Sequence, residues 1–571
     1  MVRIRHVSIR NFRGIRELDW ALPDARIVCL IGRGDSTKST ILEALRRVFH
    51  PQWNLAFDDA DYYLCNPRNL ITVEAVLGDL PDAFRDLEVY GHSLCGWNAE
   101  TLARTDDPGD GLEDALRVRL RVDDGLEPSW SVIKNDGDEG VPFKATDRSK
   151  VAVSLIGSFS DRHLTWSRGS ILSQLTESEN ITSSLADAAR AAKAALETQR
   201  AQALINFDEV AGTAETAARA LGVNVAASYK AHLDTDAINV RMAGLALHDG
   251  DMPLRQLGLG SKRMLTTGLQ KQALRSPHVT LFDEVEVGLE PHRIARLLQH
   301  LKGDGTGQYF LTTHSPVVLR ELTVDDLHVV HCDRGRINVV AANKPAIADS
   351  IQGKIRSGAE AFLAPKIIVC EGATEVGFLR GLDDHWTSAE GKDSFAYRGI
   401  ALLDANGANN VREIAENLKA LGYDVAVLVD SDAPEHFSNA DAQALCDADV
   451  TVAKWDGTLS IEERVFADLP WEGVLTSFGA ARAIWNDDAR LLDQVRTHYG
   501  DGFDRNFAAW ANTLELRTAL GKAAKASEWF KRQSWGRAWA TAFSWHLADD
   551  AIRESDLVQQ ITSLRGWIDN V

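Results

Sequence analysis

The chain has 571 residues, 45% hydrophobic and 25% charged, and its 82 Asp plus Glu outweigh 62 Lys plus Arg for a net charge of −20. That length allows three to five domains at roughly 100–200 residues each, and the acidic balance argues against a protein that coats nucleic acid over its whole surface. No apolar run reaches the ~18 residues of a membrane-spanning helix, and the amino terminus lacks the apolar block of a secretory signal. The six Cys stand singly, which argues against disulfides or a Cys-based zinc site and leads us to expect a cytoplasmic protein.

In chain order, residues 2–9 alternate and 26–31 (RIVCLI) run apolar, predicting two strands, the second ending in a Gly-rich turn. A helix follows from Ser39, with Ile41, Leu42, Leu45 and Phe49 at helical spacing. Residues 71–77 and 116–122 look β-like, whereas the Asp- and Gly-rich stretch 100–150 predicts loops. The Ala-rich stretch 182–222 predicts a helical hairpin packing on its own domain or on a sister chain. Apolar runs at 279–283, 308–313 and 328–331, separated by helical stretches, predict a mainly parallel sheet. After a junction at 341–362 a second alternation begins, with strands at 366–370, 399–403, 425–430 and 450–454. Beyond about 470 the chain reads as helical and Trp-rich.

Two constellations carry chemistry. The first opens at Gly32-Arg33-Gly34-Asp35-Ser36-Thr37-Lys38-Ser39-Thr40, which resembles a P-loop: backbone N–H groups cradle phosphates, Lys38 reaches the terminal phosphates and Ser39 binds Mg²⁺. Thr37 stands where the pattern has Gly. An apolar strand ending in Asp283-Glu284 resembles a Walker B element, in which Asp283 positions Mg²⁺ and Glu284 polarises the attacking water. Around it lie Gly258, Gly260 and Ser261 where ABC-type ATPases carry a signature loop, Gly288-Leu289-Glu290-Pro291 where they carry a D-loop, and His314 at the switch-histidine place. Gln52 is the nearest Q-loop candidate. The opening Ile9-Arg10-Asn11-Phe12-Arg13-Gly14-Ile15 resembles the first strand of the RecF, SMC and OLD branch.

The second constellation is KIIVCEGATE, an apolar strand running into Glu371 and then Glu375, followed about sixty residues later by AVLVDSD with Asp430 and Asp432. If the two strands are parallel neighbours, these carboxylates converge at the carboxyl edge of a sheet, and an all-oxygen set selects Mg²⁺ or Mn²⁺. The pattern resembles a Toprim domain. The resemblance implies Glu371, Asp430 and Asp432 as catalytic and metal-holding acids, with Glu375 and Glu463 as additional ligands supporting two ions. Asp404 in LLDANGANN is equally a site residue or a loop cap. Between 515 and 545, Lys522, Lys525, Lys531, Arg532 and Arg537 interleave with Trp529, Trp535, Trp539 and Trp545. Such a segment either stacks bases or packs a core; Lys531 is the catalytic candidate, with Lys525 and Lys454 behind it.

An ABC-type ATPase followed by Toprim in one chain resembles the OLD family of ATP-dependent nucleases, which includes the nuclease subunit of Gabija phage defence. The expected fold is α/β: an ABC-type P-loop ATPase domain at 1–345 with a helical, dimerising insertion at about 160–225, a Toprim domain at 362–470, and a helical region at 471–571 packing on it. The resemblance implies a homodimer or tetramer joined through the ATPase half, using ATP and Mg²⁺ there and two Mg²⁺ or Mn²⁺ ions in the Toprim half. The implied activity is ATP-regulated DNA cleavage in phage defence or DNA repair, with room for a helicase-like partner. The rival expectation is an ATP-dependent DNA-end or lesion clamp of the RecF/SMC type that does not cut.

Overall fold

A computed structural model describes residues 2–156, 205–220, 247–273, 278–343 and 348–570, with single positions 164, 172, 191 and 228. The fold is mixed α/β, built on a sheet of 14 strands and a second sheet of four. In the large sheet, Val153–Ile156, His278–Phe282, Gly307–Thr312, Ile27–Ile31 and Leu327–Asp333 run parallel in that order. Ile27–Ile31 is buried at every position, as a central parallel strand covered on both faces must be.

Beyond Leu327–Asp333 the sheet continues through Arg336–Ala341 and Ile15–Ala21, then becomes antiparallel across Arg3–Phe12, Ile71–Gly78 and Glu113–Val122. Here the β-like run at 116–122 is found as expected, and the expectation of loops over the rest of 100–150 is corrected at Pro128–Ile133 and Ala145–Lys150. That stretch contains Glu113–Val122, paired with Pro128–Ile133, and the helix Ala145–Lys150. Its Asp and Gly residues mark only the turns, whereas Leu116, Val118, Leu120 and Val122 alternate with Arg117, Arg119 and Arg121 as a half-buried strand requires. Of the Ala-rich stretch, the helix Ile205–Ala220 is described; the remainder of the predicted dimerising hairpin lies outside the described residues.

The four-stranded sheet is parallel throughout, ordered Ile400–Asp404, Lys366–Cys370, Asp424–Val429, Thr451–Lys454. Cys370 pairs with both Asp404 and Leu428, so Glu371 and the Asp430–Asp432 turn leave the sheet at one edge. One apolar core runs from Ile27 and Leu311 through Phe362 to Leu403 and Val427 and joins the two sheets.

The carboxyl-terminal helices cover the other face of the small sheet. The helix Ala373–Ser388 crosses Gln533–Phe543 at close range: a Cβ on Gly377 would lie 2.4 Å from the Gln533 carbonyl oxygen, and one on Gly381 2.6 Å from that of Arg537. Phe530 stacks on Trp539 with ring centroids 4.1 Å apart. Trp529 and Trp539 are fully buried and belong to the core, whereas Trp535 is half-buried and Trp545 is exposed. Among the described residues, no helix is long and apolar enough to cross a membrane.

Candidate functional site

The P-loop turn begins at Gly32, whose φ of +131° and approach to Val330, with a Cβ placed 2.6 Å from its carbonyl oxygen, admit only glycine. The turn ends at Thr37, which precedes the helix Lys38–Val48 with φ 66° and ψ 15°. A β-branched residue is strained in this left-handed region, at a cost of roughly 1–3 kcal/mol, so the departure noted in the sequence has a physical price. Lys38 is buried and its Nζ donates to the carbonyl oxygens of Gly32 (3.1 Å) and Arg33 (2.8 Å) and to Ser36 Oγ (3.1 Å). Burial pushes its pKa down to about 8, against the pull of Asp35 and Asp283. Such an ammonium gains from a phosphate partner.

Ser39 Oγ donates to Asp283 Oδ1 over 2.7 Å, and Thr312 Oγ1 donates to the same atom over 2.7 Å. The strand ends therefore bring the P-loop hydroxyl and the Walker B-like acid together across 244 residues. Glu284 is exposed beside them with φ 47° and its N–H donates to Thr312 Oγ1. Gly34, Asp35 and Thr40 complete the turn and the helix start. His314 is exposed, and its backbone N–H donates to Glu286 Oε1 over 2.7 Å.

The Gly258–Ser261 segment starts the helix Leu259–Ala273 and lies against the chain's own Gly288 turn: a Cβ on Gly260 would fall 2.1 Å from the Gly288 carbonyl oxygen. Gln52 is exposed, and its carbonyl oxygen accepts from Arg148. Two residues here escaped sequence reasoning. Arg263, buried in the helix Leu259–Ala273, donates to the carbonyl oxygen of Asp283, and Glu286 ties its own turn to Thr313 Oγ1 over 2.7 Å. A basic residue in a helix and an acid in a turn ordinarily read as solvated, so neither carries a sequence signal.

In the small sheet, ligand oxygens of Glu371, Asp430 and Asp432 all lie within 4.8 Å of one another, the one such group of three acids, His or Cys found among the described residues. The backbone explains the convergence. The Glu371 N–H donates to the Leu428 carbonyl oxygen, the Asp430 N–H donates to Glu371 Oε2 (3.1 Å), and Gly407 N–H donates to the Glu371 carbonyl oxygen (2.8 Å). Trp455 Nε1 fixes Asp430 by donating to Oδ1 over 2.9 Å.

Burial raises the proton affinity of Asp430 well above the usual carboxylate range, reinforced by Glu375, Glu371, Glu462 and Asp432. Burial likewise raises Glu371, while Lys531 and Lys525 pull it back. Glu375 is pushed up to about 8, first by burial and then by Glu371 and Glu462. Hard oxygen donors crowded in a low-dielectric pocket fit a divalent cation, which offsets the repulsion that otherwise favours protons.

Glu375 and Glu463 stand outside the three-acid group. The Glu375 carboxylate accepts from its own helix start at Gly372 N–H (2.8 Å), and Glu463 accepts from Ser460 N–H (3.1 Å) as the third residue of a capping box. Its neighbour Glu462 is the acid buried toward the site, with its proton affinity raised by burial and by Asp432 and lowered by Ser460 and Lys531. SIEE offers two adjacent acids, and the helix phase set by Ser460 buries Glu462 while Glu463 reaches the rim of the site through Lys525.

Lys525 Nζ forms ion pairs with Asp432 and Glu463, and Lys531 is exposed yet near enough to act on Glu371 and Glu462. Lys454 is turned away, donating to the Phe437 carbonyl oxygen and to Asn439. Asp404 accepts from Asn406 N–H, the loop-capping arrangement.

Residues 139–320 match the family described as "AAA domain, putative AbiEii toxin, Type IV TA system". Residues 362–432 match the "Overcoming lysogenization defect protein-like, TOPRIM domain". No curated protein matches the chain. Among solved structures, the chain is similar to the SMC head domain from Thermotoga maritima at 16% identity, covering 60% of this chain and 100% of that one with a TM-score of 0.29. It is similar to the recombination mediator RecF–ATP at 12% identity, covering 59% and 99% with a TM-score of 0.33. A SmcHead bound to the C-winged helix domain of ScpA matches at 13% identity, covering 59% and 97% with a TM-score of 0.32. The P-loop lies upstream of the matched ATPase segment but on the strand next to Gly307–Thr312 within it. One polypeptide thus carries a segment that matches an AAA-type ATPase domain followed by a segment that matches an OLD-like Toprim domain.

Proposed function

We propose that this protein is an ATP-regulated, divalent-metal-dependent DNA endonuclease, with the ATPase domain at 1–345, the Toprim domain at 362–470 and a supporting helical region at 471–571. The observation that carries the reading is the convergence of Glu371, Asp430 and Asp432 within 4.8 Å at the carboxyl edge of a parallel sheet. Glu371, Asp430 and Asp432 would hold a first Mg²⁺ or Mn²⁺ ion, and Glu375, Glu462 and Glu463 are the acids that would serve a second. When bound, these ions supply Lewis-acid polarisation of a phosphodiester and a water of lowered pKa.

The protein's own groups do the rest. Trp455 and the Glu371–Asp430 backbone bond fix the carboxylates before substrate arrives. Lys531, exposed beside Glu371, balances the charge that grows on the phosphate during cleavage. In the ATPase half, Lys38, Ser39, Asp283 and Glu284 take the P-loop and Walker B roles, and ATP at sites completed by Gly258, Gly260 and Ser261 of a second copy governs the cutting. A homodimer or tetramer follows from that arrangement, and defence against phage or repair of DNA is the setting we infer.

Plasmid nicking with Mn²⁺ or Mg²⁺ tests the reading. Wild type is expected to nick supercoiled DNA, and Asp430→Ala is expected to abolish the nicking. Equal nicking by both proteins, or none by either, replaces the nuclease with an ATP-dependent DNA clamp.

A further inference from the structure

The antiparallel half of the large sheet has a second face, opposite the one packed on the helix Lys38–Val48. Register places its side chains in rows across the strands. Glu17, Arg10, Thr72 and Arg121 form one row; Asp19, Ser8, Glu74 and Arg119 the next; Ala21, His6, Val76 and Arg117 a third. Together with Arg104 and Asp136 they line a concave cavity of about 710 Å³. In a chain of net charge −20, this face sets five arginines against the four carboxylates of Glu17, Asp19, Glu74 and Asp136, so it is slightly positive where the rest of the chain is acidic.

These arginines are of two kinds. Glu74 is buried and accepts from Arg117 Nη2 (2.5 Å) and from Arg119 Nε (2.6 Å), so one carboxylate holds both guanidinium groups in place. Arg119 also donates to the carbonyl oxygens of Asp138 and Asp136. Arg10 and Arg121 are exposed, and among the described residues neither has an ion pair or a side-chain hydrogen bond. They flank Thr72 from the two neighbouring strands, roughly 10 Å apart at Cα by the ordinary strand spacing. At that separation two arginine side chains are long enough to reach one phosphate from either side, and guanidinium forks bind phosphate through paired N–H donors.

We propose that this face is a docking groove for the phosphodiester backbone of a DNA strand, with Arg10, Arg121 and Thr72 as phosphate contacts and with Arg117 and Arg119, held and neutralised by Glu74 and Asp136, as its rigid floor. The proposal rests on the reading that the protein acts on DNA, and it deepens that reading by placing a DNA contact on the ATPase half, on the sheet that also carries the P-loop.

The test is equilibrium binding of a fluorescein-labelled 30-base-pair duplex to the full chain in EDTA, where affinity is read without cutting. Arg10→Gln combined with Arg121→Gln is expected to weaken binding at least tenfold at 50 mM salt. It is also expected to lower the slope of log affinity against log salt by about 2, one phosphate contact per arginine. Unchanged binding of a fluorescent ATP analogue shows that the variant is folded. Equal affinity and slope in wild type and variant overturn the groove, as does displacement of the duplex by poly-glutamate at equal charge concentration, which assigns the face to an acidic protein. Failure of the nuclease reading appears separately, as absence of Mn²⁺-dependent nicking by a wild type that binds the duplex.

Discussion

The ammonium of Lys525 lies 2.7 Å from Oδ2 of Asp432, and it lies 3.3 Å from Glu463. It reaches both because the helix Leu514–Ala526 approaches Ile461–Asp468 closely at Gly521, where a Cβ would fall 2.8 Å from the Glu463 Cα. Lys525 thus competes with a divalent ion for one of the three converging acids. Lys525→Met is expected to tighten Mn²⁺ binding about fivefold, the equivalent of about 1 kcal/mol for a partly exposed pair, as read by titration calorimetry. Weaker Mn²⁺ binding in the variant would show that the lysine assists the site rather than competing for it.

Thr37 holds a left-handed conformation that glycine adopts without strain. Thr37→Gly is expected to bind ATP more tightly by about 1 kcal/mol, roughly fivefold. Thr37→Val, which keeps the β-branch, should leave affinity near wild type. Titration with a fluorescent nucleotide separates the two, and equal affinity of all three proteins refutes the strain argument.

The burial of Glu375 makes metal-free stability depend on pH in a defined direction. Its folded-state pKa of about 8 exceeds the ordinary value of 4.5. Between those values the unfolded chain releases the proton while the folded chain keeps it, so stability falls as pH rises from about 4.5 to 8. The slope reaches up to about 1.4 kcal/mol per pH unit. Urea unfolding in EDTA at pH 5, 6.5 and 8 should show this decline in wild type and a flatter profile in Glu375→Gln. Adding Mn²⁺ at pH 8 should stabilise both proteins, because Glu371, Asp430 and Asp432 are intact in each. Parallel profiles for the two proteins would assign the pH dependence to other acids.

Gly377 faces Gln533 and Gly536 at backbone contact. Gly377→Val is expected to destabilise the protein by about 1–3 kcal/mol through overpacking. It should also depress cleavage at temperatures where the fold survives, because the same helix follows Glu371. Gly479→Ala, inside the helix Trp471–Trp485 where a Cβ meets open space, is the control: it should raise thermal melting slightly, because Ala favours the helix, and leave plasmid nicking unchanged.

What the sequence disclosed follows from how each element is encoded. Asp283, Glu371 and Asp430 each end an apolar strand, and a strand end is visible in one dimension. Asp430 and Glu371 meet because their strands are parallel neighbours, which the alternation of helix and strand already implies. Glu462 was hidden because its inward direction depends on the Ser460 cap. Arg10, Thr72 and Arg121 were hidden because only antiparallel register puts residues so distant in sequence into one row. Within 100–150 the strand at 116–122 was legible from its alternation, whereas Pro128–Ile133 and Ala145–Lys150 were hidden among conspicuous turn residues.

The helical layer behind the small sheet also decides where the chain can be divided. Ile368, Cys370, Ala426 and Leu428 share one apolar cluster with Leu520, Trp529, Trp539 and Phe543. A polypeptide ending near residue 470 would leave those strand residues facing water with nothing to replace the missing tryptophans. Expression of the acid-bearing half for biochemistry therefore calls for a fragment that begins ahead of Lys366 and runs to the last helix, Asp556–Asp569.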